Sequence, residues 1–197
     1  MDKHSDSSYH LCQGKRRQGL LIDPGASGGL VGTDTVVQYR KAKVPHCLDY
    51  DVTESGGQTF QGIDGEPVPG LGRLSQTAQW GRMMIQWNGD LIGSQGSHCP
   101  FLLPINPLIA YRGILCHGVF ANSDGILLML PNSKTSYCDN SHKTKEEELE
   151  VHVLRALYTE SGHYIVPTDD PDEQLRDEPQ LALTTIDLFT KIISSLR

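Results

Sequence analysis

The sequence predicts an all-β domain, and two observations support this prediction. Glycine (20 residues) and proline (11 residues) are frequent while apolar residues make up 38% of the 197 residues, a mixture that favours short strands joined by turns. Short apolar runs separated by glycine and proline also recur over residues 19–131. We therefore expect a compact β domain there, between a polar N-terminal segment and a C-terminal appendage.

The predicted strands follow one another at short intervals. They are Gly19 to Ile22, Val36 to Tyr39, Gly57 to Ile63, Met83 to Trp87, Phe101 to Leu103, Ile114 to Phe120 and Ile126 to Leu130. Asn122-Ser123-Asp124-Gly125 has the composition of a tight hairpin turn. The last two strands should therefore pair.

The two flanking segments differ from this pattern. Residues 1–18 are polar, include the basic run Lys15-Arg16-Arg17, and predict a flexible lead-in. Residues 132–197 predict a polar linker and a helical, acidic appendage. Its helix begins near Thr144, which has capping-box spacing to Glu147, and would place Leu149, Val153 and Leu157 on one face. A last amphipathic segment runs from Thr184 to Leu196.

Charge and composition exclude several partners. The net charge of −7 offers no broad attraction to nucleic acid or to an anionic membrane surface. No apolar run approaches the roughly 20 residues that span a bilayer, and the first residues lack the apolar centre of a signal peptide. The five cysteines have irregular spacing, which is typical of free thiols in a reducing compartment. We expect a soluble intracellular protein, in the cytoplasm.

One acidic residue stands where a buried strand enters a tight turn. Asp23 follows Leu20-Leu21-Ile22 and precedes Pro24-Gly25-Ala26-Ser27. One explanation for an acid at this position is structural: an aspartate in a turn commonly accepts a hydrogen bond from its own backbone. The pattern apolar-apolar-Asp-Xaa-Gly-Ala-Ser also resembles the signature of retropepsin-like aspartic proteases of retroviruses and retrotransposons.

The resemblance extends over about Gly19 to Leu130 and implies a closed β-barrel of the acid-protease type. The stretch from Phe60 to Gly72 resembles the flap that closes over substrate, with Gly62, Ile63, Asp64 and Gly65 as its substrate-binding residues. Phe101 to Ile109 resembles the later strand and short helix beneath the active-site loop. Asp23 would be the catalytic carboxylate, and Pro24, Gly25, Ala26 and Ser27 would form the active-site loop.

Two positions depart from the family pattern. Pro24 stands where the family usually has a threonine or serine, whose hydroxyl bonds across the dimer, and proline has neither a hydroxyl nor an N–H. The segment Leu103-Pro104-Ile105 lacks the glycine usually found there. Both departures bear on activity more than on fold.

The chemistry of this family requires two carboxylates, one ionised and one protonated, to activate a water. The chain has one such loop, and Asp34, Asp64 and Asp124 do not lie in an equivalent setting. The second carboxylate would therefore come from Asp23 of another copy in a homodimer. This interpretation predicts an aspartic endopeptidase that matures a retrotransposon-like polyprotein, binds extended peptides and needs no cofactor or metal.

Other functions remain as alternatives. A catalytically silent module of the same fold would serve dimerisation or peptide binding, and an ordinary β domain with a coincidental turn would be a monomer with Asp23 at its surface. Gly25-Ala26-Ser27-Gly28-Gly29 matches the nucleophile elbow of α/β-hydrolases, but Ser27 lies too near the N-terminus for the preceding strands. No phosphate-binding glycine motif and no paired metal-ligand spacing occur in the sequence.

Overall fold

The computed structural model of the chain describes residues 10–41, 50–53, 58–61, 67–80, 83–93, 96–129 and 151–170, with positions 173, 176, 184–187, 190, 191 and 194. In chain order the strands are β1 (His10–Cys12), β2 (Lys15–Arg17), β3 (Gly19–Asp23), β4 (Gly29–Gly32), β5 (Tyr50–Thr53), β6 (Thr59–Gln61), β7 (Pro67–Trp80), β8 (Met83–Ile92), β9 (Leu102–Pro104), β10 (Ile114–Cys116), β11 (Gly125–Met129), β12 (His152–Tyr158) and β13 (Tyr164–Pro167). Helix α1 (Thr33–Lys41) follows β4, and helix α2 (Ile105–Ala110) follows β9. The predicted all-β class is confirmed.

The strands form one six-stranded sheet, one five-stranded sheet and one separate hairpin. The six-stranded sheet has the order β10-β11-β12-β13-β3-β9, and the second sheet has the order β4-β8-β7-β5 with β6 paired to β7. Among the described strands, β1 and β2 form a separate two-stranded pair. Among the described residues these pairings do not close into a barrel.

The main hydrophobic core lies between the two large sheets. Strand β3 contributes Leu20 and Ile22 to this core, and alternate residues of β7 and β8, including Leu74 and Trp87, face it from the second sheet. The Trp87 indole N–H donates to the Leu102 carbonyl at 2.8 Å, which ties β8 to the first residue of β9. The core therefore fixes the two strands, β3 and β9, that precede the Asp23 loop and α2.

The prediction of a helix starting near Thr144 is wrong for residues 151–158, the part of that segment that the structure describes. The segment His152–Tyr158 is strand β12, which pairs antiparallel with β11, and β13 then pairs with β3. Leu154 and Ala156 face the main core while Val153 packs on the opposite face of the sheet, so burial alternates with period two. This part of the predicted appendage belongs to the sheet that carries Asp23. Thr144, Glu147 and Leu149 lie outside the described residues.

The last amphipathic segment is helical at each of its described positions, 184–187, 190, 191 and 194. Its Ile186 side chain is exposed (63%). The helical character predicted for the C-terminal residues therefore applies to this last segment.

The strand predicted for Val36 to Tyr39 is also wrong, because these residues lie in α1. Thr35, Val36 and Tyr39 are its buried residues, and their spacing places them on one helical face. Tyr39 packs its ring against Phe101, with ring centroids 5.0 Å apart. Val36, Val37 and Tyr39 favour strands locally, but tertiary packing outweighs this preference and the segment is helical.

The flexible lead-in predicted for residues 1–18 is wrong from residue 10 onward. Residues 10–17 form the β1–β2 hairpin, and Cys12 packs with Leu21 and Ile165 on the outer face of the six-stranded sheet. Arg17 makes ion pairs with Asp169 and Glu173, at 3.0 and 2.5 Å. Residues 1–9 lie outside the described part of the chain.

Acid is expected to destabilise the fold through His10 of β1. Burial, and then the charge of His163, lower the pKa of His10 from 6.5 to about 4. As pH falls, His10 therefore binds a proton in the unfolded chain before it does so in the folded chain. The free energy of unfolding should be highest above about pH 6.5 and should fall by on the order of 1–3 kcal/mol between pH 6.5 and pH 4. Urea denaturation at both pH values measures this loss.

The variant His10→Gln should show a smaller acid loss of stability than the wild type. The matched control is His98→Gln, because His98 is exposed (52%) and lies in a different part of the chain. An equal effect of the two substitutions would assign the acid sensitivity to other groups.

Candidate functional site

Asp23 lies at the point where a buried strand reaches the surface. Leu20, Leu21 and Ile22 of β3 are 2%, 8% and 5% exposed, Asp23 is half-buried, and Pro24 is exposed. Strand β3 runs parallel to β9, with Asp23 opposite Pro104 in the register. The carboxylate is therefore carried by a rigid strand end, and the loop after it faces outward.

The loop after Asp23 is a tight turn closed by the aspartate itself. The Gly25 N–H donates to Asp23 Oδ1 at 3.0 Å, and the Ala26 N–H donates to the Asp23 carbonyl at 3.1 Å. Among the described residues, Oδ2 of Asp23 accepts no hydrogen bond. One carboxylate oxygen is thus held by the backbone, while the other is open to a water or a second acid.

Helix α2 supports the loop from the side of β9. The Asn106 amide Nδ2 donates to the Ser27 carbonyl at 3.0 Å, across 79 positions of sequence. Leu108 anchors the same helix in the core, where it is 6% exposed. The predicted strand and short helix following Phe101 are confirmed as β9 and α2.

The segment that precedes β9 also lies beside the loop. Cys99 accepts a backbone hydrogen bond from Gly32 at 2.9 Å, and a Cβ on Gly32 would lie 2.1 Å from the Ser97 carbonyl, so only glycine permits this approach. Burial, together with the negative charge of Asp23, raises the pKa of Cys99 to about 11. The Cys99 thiol therefore stays protonated at neutral pH and is a weak nucleophile.

The predicted flap corresponds to the hairpin of β6 and β7. Thr59 pairs with Pro69 and Gln61 with Pro67, so the two strands are adjacent up to residues 61 and 67. Gly62, Ile63, Asp64 and Gly65, the predicted substrate-binding residues, lie outside the described part of the chain.

The other described aspartates have different roles. Asp124 is fully buried, and its carboxylate accepts hydrogen bonds from Asn122, Arg155 and the Tyr158 N–H. Asp34, at the start of α1, is exposed and accepts from the Ser97 hydroxyl at 2.9 Å. Neither residue shares a hydrogen bond with Asp23. The predicted pairing of β10 with β11 is confirmed, with Asp124 in the loop that joins them.

The structure does not favour a nucleophile elbow at Ser27 or a metal site among the described residues. The loop containing Ser27 leads from β3 into strand β4, whereas a nucleophile elbow leads from a strand into a helix. In the part of the chain that the structure describes, no three His, Cys, Asp or Glu side chains come together as a metal site. Trp80 and Trp87 are core residues that are 1% and 3% exposed.

Two side chains near Asp23 were not predicted from the sequence. Asn106 is a lone polar residue within the apolar run Phe101 to Ile109, and Cys99 precedes that run. A polar side chain inside an otherwise apolar segment is the signal that could have indicated Asn106. Its contact with Ser27 depends on the parallel pairing of β3 with β9, which no local pattern reveals.

Comparison of the chain with protein-family models, with curated proteins and with solved structures found no match. Among the described residues, no helix has the length and apolar character required to cross a membrane.

Proposed function

We propose that the chain is an aspartic endopeptidase of the retropepsin type, with Asp23 as its catalytic carboxylate. The observation that carries this proposal is the state of the Asp23 carboxylate. Its Oδ1 is fixed by the Gly25 N–H at 3.0 Å, and its Oδ2 has no partner among the described residues. A carboxylate held in this way is preorganised to bind a water with its second oxygen.

The order of the elements supports the same proposal. The Asp23 loop after β3, the β6–β7 hairpin, and β9 with α2 follow each other in the chain order that the resemblance implies. The parallel pairing of β3 with β9 brings α2 against the loop. We propose a retropepsin-like arrangement on these grounds.

The reaction needs a second carboxylate, which we assign to Asp23 of another copy. Two carboxylates placed close together share one proton, because repulsion between like charges disfavours ionisation of both. The ionised Asp23 draws a proton from the attacking water, and the protonated partner polarises the peptide carbonyl and later helps protonate the leaving nitrogen. The substrate would be an extended peptide bound by backbone hydrogen bonds, such as a retrotransposon-like polyprotein.

An exposed apolar side chain beside the loop supports a homodimer. Ile109 of α2 is 66% exposed and lies three residues after Asn106, so both residues share a face of the helix. Asn106 contacts the loop, and Ile109 is its neighbour on the surface of the same short helix. Burial of Ile109 against a second copy would remove this apolar surface from water.

Substitution of Ile109 by Asp should weaken self-association by about 100-fold, because it places an unpaired charge in the proposed interface. Sedimentation velocity over a concentration series measures the dimer dissociation constant. The matched control is Met84→Asp on β8, another exposed apolar residue (52%) outside α2. A monomeric wild type, or equal effects of the two substitutions, would contradict the proposed interface.

A catalytically silent binding module is the second candidate, and Pro24 is the observation that favours it. Pro24 is exposed and offers neither a hydroxyl nor an N–H for a bond to the second loop. The experiment that separates the two functions is cleavage of an unstructured protein from acidic to neutral pH, with and without a transition-state-mimicking inhibitor. Cleavage blocked by the inhibitor supports the enzyme, and a dimer without cleavage supports the silent module.

A further inference from the structure

Among the described residues, one side-chain hydrogen bond joins the Asp23 loop to another element of the chain. Pro24, Gly25, Ser27 and Gly28 are exposed, and the bonds from Gly25 and Ala26 to Asp23 lie within the loop itself. Between the ends of β3 and β4, Asn106–Ser27 is the side-chain hydrogen bond that joins the loop to another element among the described residues. Besides the two strands at its ends, α2 therefore helps to hold the loop in place.

The geometry of Asn106 suits an anchoring role. A carbonyl oxygen only accepts hydrogen bonds, so the Ser27 carbonyl requires a donor, which the Asn106 amide supplies at 3.0 Å. The helix that carries Asn106 begins directly after Pro104, which lies opposite Asp23 in the parallel register. Leu108 holds the same helix in the core. The donor is thus fixed to the same sheet as the carboxylate that it would position.

Pro24 explains why such an anchor would be needed. Proline at this position has no hydroxyl and no N–H, so it cannot donate a hydrogen bond that fixes the loop to a second copy. The loop of this chain must then be held from within its own subunit. Asn106 is the described side chain in position to do so.

We propose that Asn106 is a positioning residue, which fixes the Asp23 loop through the Ser27 carbonyl and takes over the anchoring role that Pro24 cannot perform. This inference rests on the proposed aspartic-protease function. Asn106 acts through the loop backbone and touches neither the attacking water nor the substrate carbonyl. Its loss should therefore lower kcat and leave KM nearly unchanged.

Three substitutions of Asn106 test the inference by steady-state kinetics. Asn106→Ala removes the hydrogen-bond donor. Asn106→Asp keeps the shape of the side chain, but above the ordinary aspartate pKa it is ionised and cannot donate. Each substitution should lower kcat about five- to tenfold and change KM by no more than about twofold. Asn106→Gln retains the amide and should recover part of the loss. The matched control is Asn88→Ala, an exposed asparagine on β8, which should keep the wild-type kcat.

Hydrogen exchange at the loop gives a readout independent of cleavage. The Gly25 and Ala26 amides donate to Asp23 and should exchange several-fold faster in Asn106→Ala, with the amides of β7 and β8 unchanged. A Pro24→Thr background, which restores a hydroxyl, should reduce the effect of Asn106→Ala on kcat. This double-mutant comparison separates an anchoring role from a general loss of stability.

The outcomes distinguish the inference from the proposed function. An active wild type with unchanged kcat and unchanged loop exchange in Asn106→Ala would overturn the inference and leave the function standing. A wild type that never cleaves would overturn the function, and with it the catalytic importance of Asn106. Faster loop exchange in that case would still establish that Asn106 holds the loop.

Discussion

Substitution of Asp23 by Asn is expected to abolish peptide cleavage, with kcat/KM falling by at least about 10³-fold. Asparagine has the shape of aspartate and keeps an oxygen that can accept a hydrogen bond from the Gly25 N–H. In the wild-type chain this bond joins the Gly25 nitrogen to Asp23 Oδ1 at 3.0 Å. It cannot take a proton from water. In a homodimer both copies carry the substitution, so the base and the acid are lost together.

The assay uses the purified full chain and an unstructured protein substrate, from acidic to neutral pH. Asp187→Asn is the matched control, because Asp187 is exposed (63%), pairs with Lys191 four residues later and lies in the C-terminal helical segment. It should cleave at the wild-type rate. Equal circular dichroism and sedimentation of the Asp23→Asn chain would show that the fold and the dimer persist. Undiminished cleavage by that variant would assign the activity to another residue or to a contaminant.

Substitution of Asp124 by Ala is expected to destabilise the fold by about 2–4 kcal/mol, because it removes a buried carboxylate that accepts three hydrogen bonds, one of them from the partly exposed Arg155. The Asp124 side chain is 1% exposed and accepts from Arg155 Nε at 3.1 Å, from Asn122 Nδ2 at 2.9 Å and from the Tyr158 N–H at 2.9 Å. Its removal leaves the Arg155 charge and a backbone N–H of β12 without these partners. The loop before β11 would then lose its attachment to β12.

Urea denaturation at neutral pH measures the loss through the midpoint of unfolding. Asp187→Ala is the control, because it removes an exposed carboxylate paired with Lys191 four residues later, and such pairs contribute about 0.3–0.5 kcal/mol. A loss below about 1 kcal/mol for Asp124→Ala would mean that water replaces the carboxylate without strain.

The contrast between Asp23 and Asp124 depends on how many partners surround each carboxylate. Both residues lie beside a glycine-containing turn next to a buried strand. Asp124 has both oxygens occupied by donors from its own turn and from β12, whereas Asp23 has Oδ2 open among the described residues. A satisfied buried acid stabilises the fold, while an open one is available for chemistry.

Some elements could be predicted from local patterns alone. The run Leu20-Leu21-Ile22 before Asp23-Pro24-Gly25 predicts a buried strand that ends in a turn, and β3 and its loop have this form. The apolar run Phe101 to Leu103 predicts β9, and the pairing of β10 with β11 follows from the turn residues between them. These predictions succeed because apolar runs bounded by glycine and proline restrict the backbone locally.

Other elements could not be predicted because short apolar segments suit either helix or strand. The spacing of Val153 and Leu157 allows a helical face, but pairing with β11 on one side and with β13 on the other makes this segment strand β12. Val36 and Tyr39 have strand propensity but form one face of α1 against Phe101. In each case contacts distant in sequence outweigh a small local preference.

By itself the sequence determined the β class, the strand that ends at Asp23 and the turn that follows it, because these depend on residues that are neighbours along the chain. Only the tertiary structure decided that β12 and β13 complete the sheet of Asp23 and that Asn106 reaches Ser27. Only the tertiary structure also decided that Asp124 is buried while Oδ2 of Asp23 accepts no hydrogen bond from the described residues. The physical reason is that hydrogen-bond partners and burial come from strands that pair across the fold, and the energy of those pairings is not encoded in any single segment.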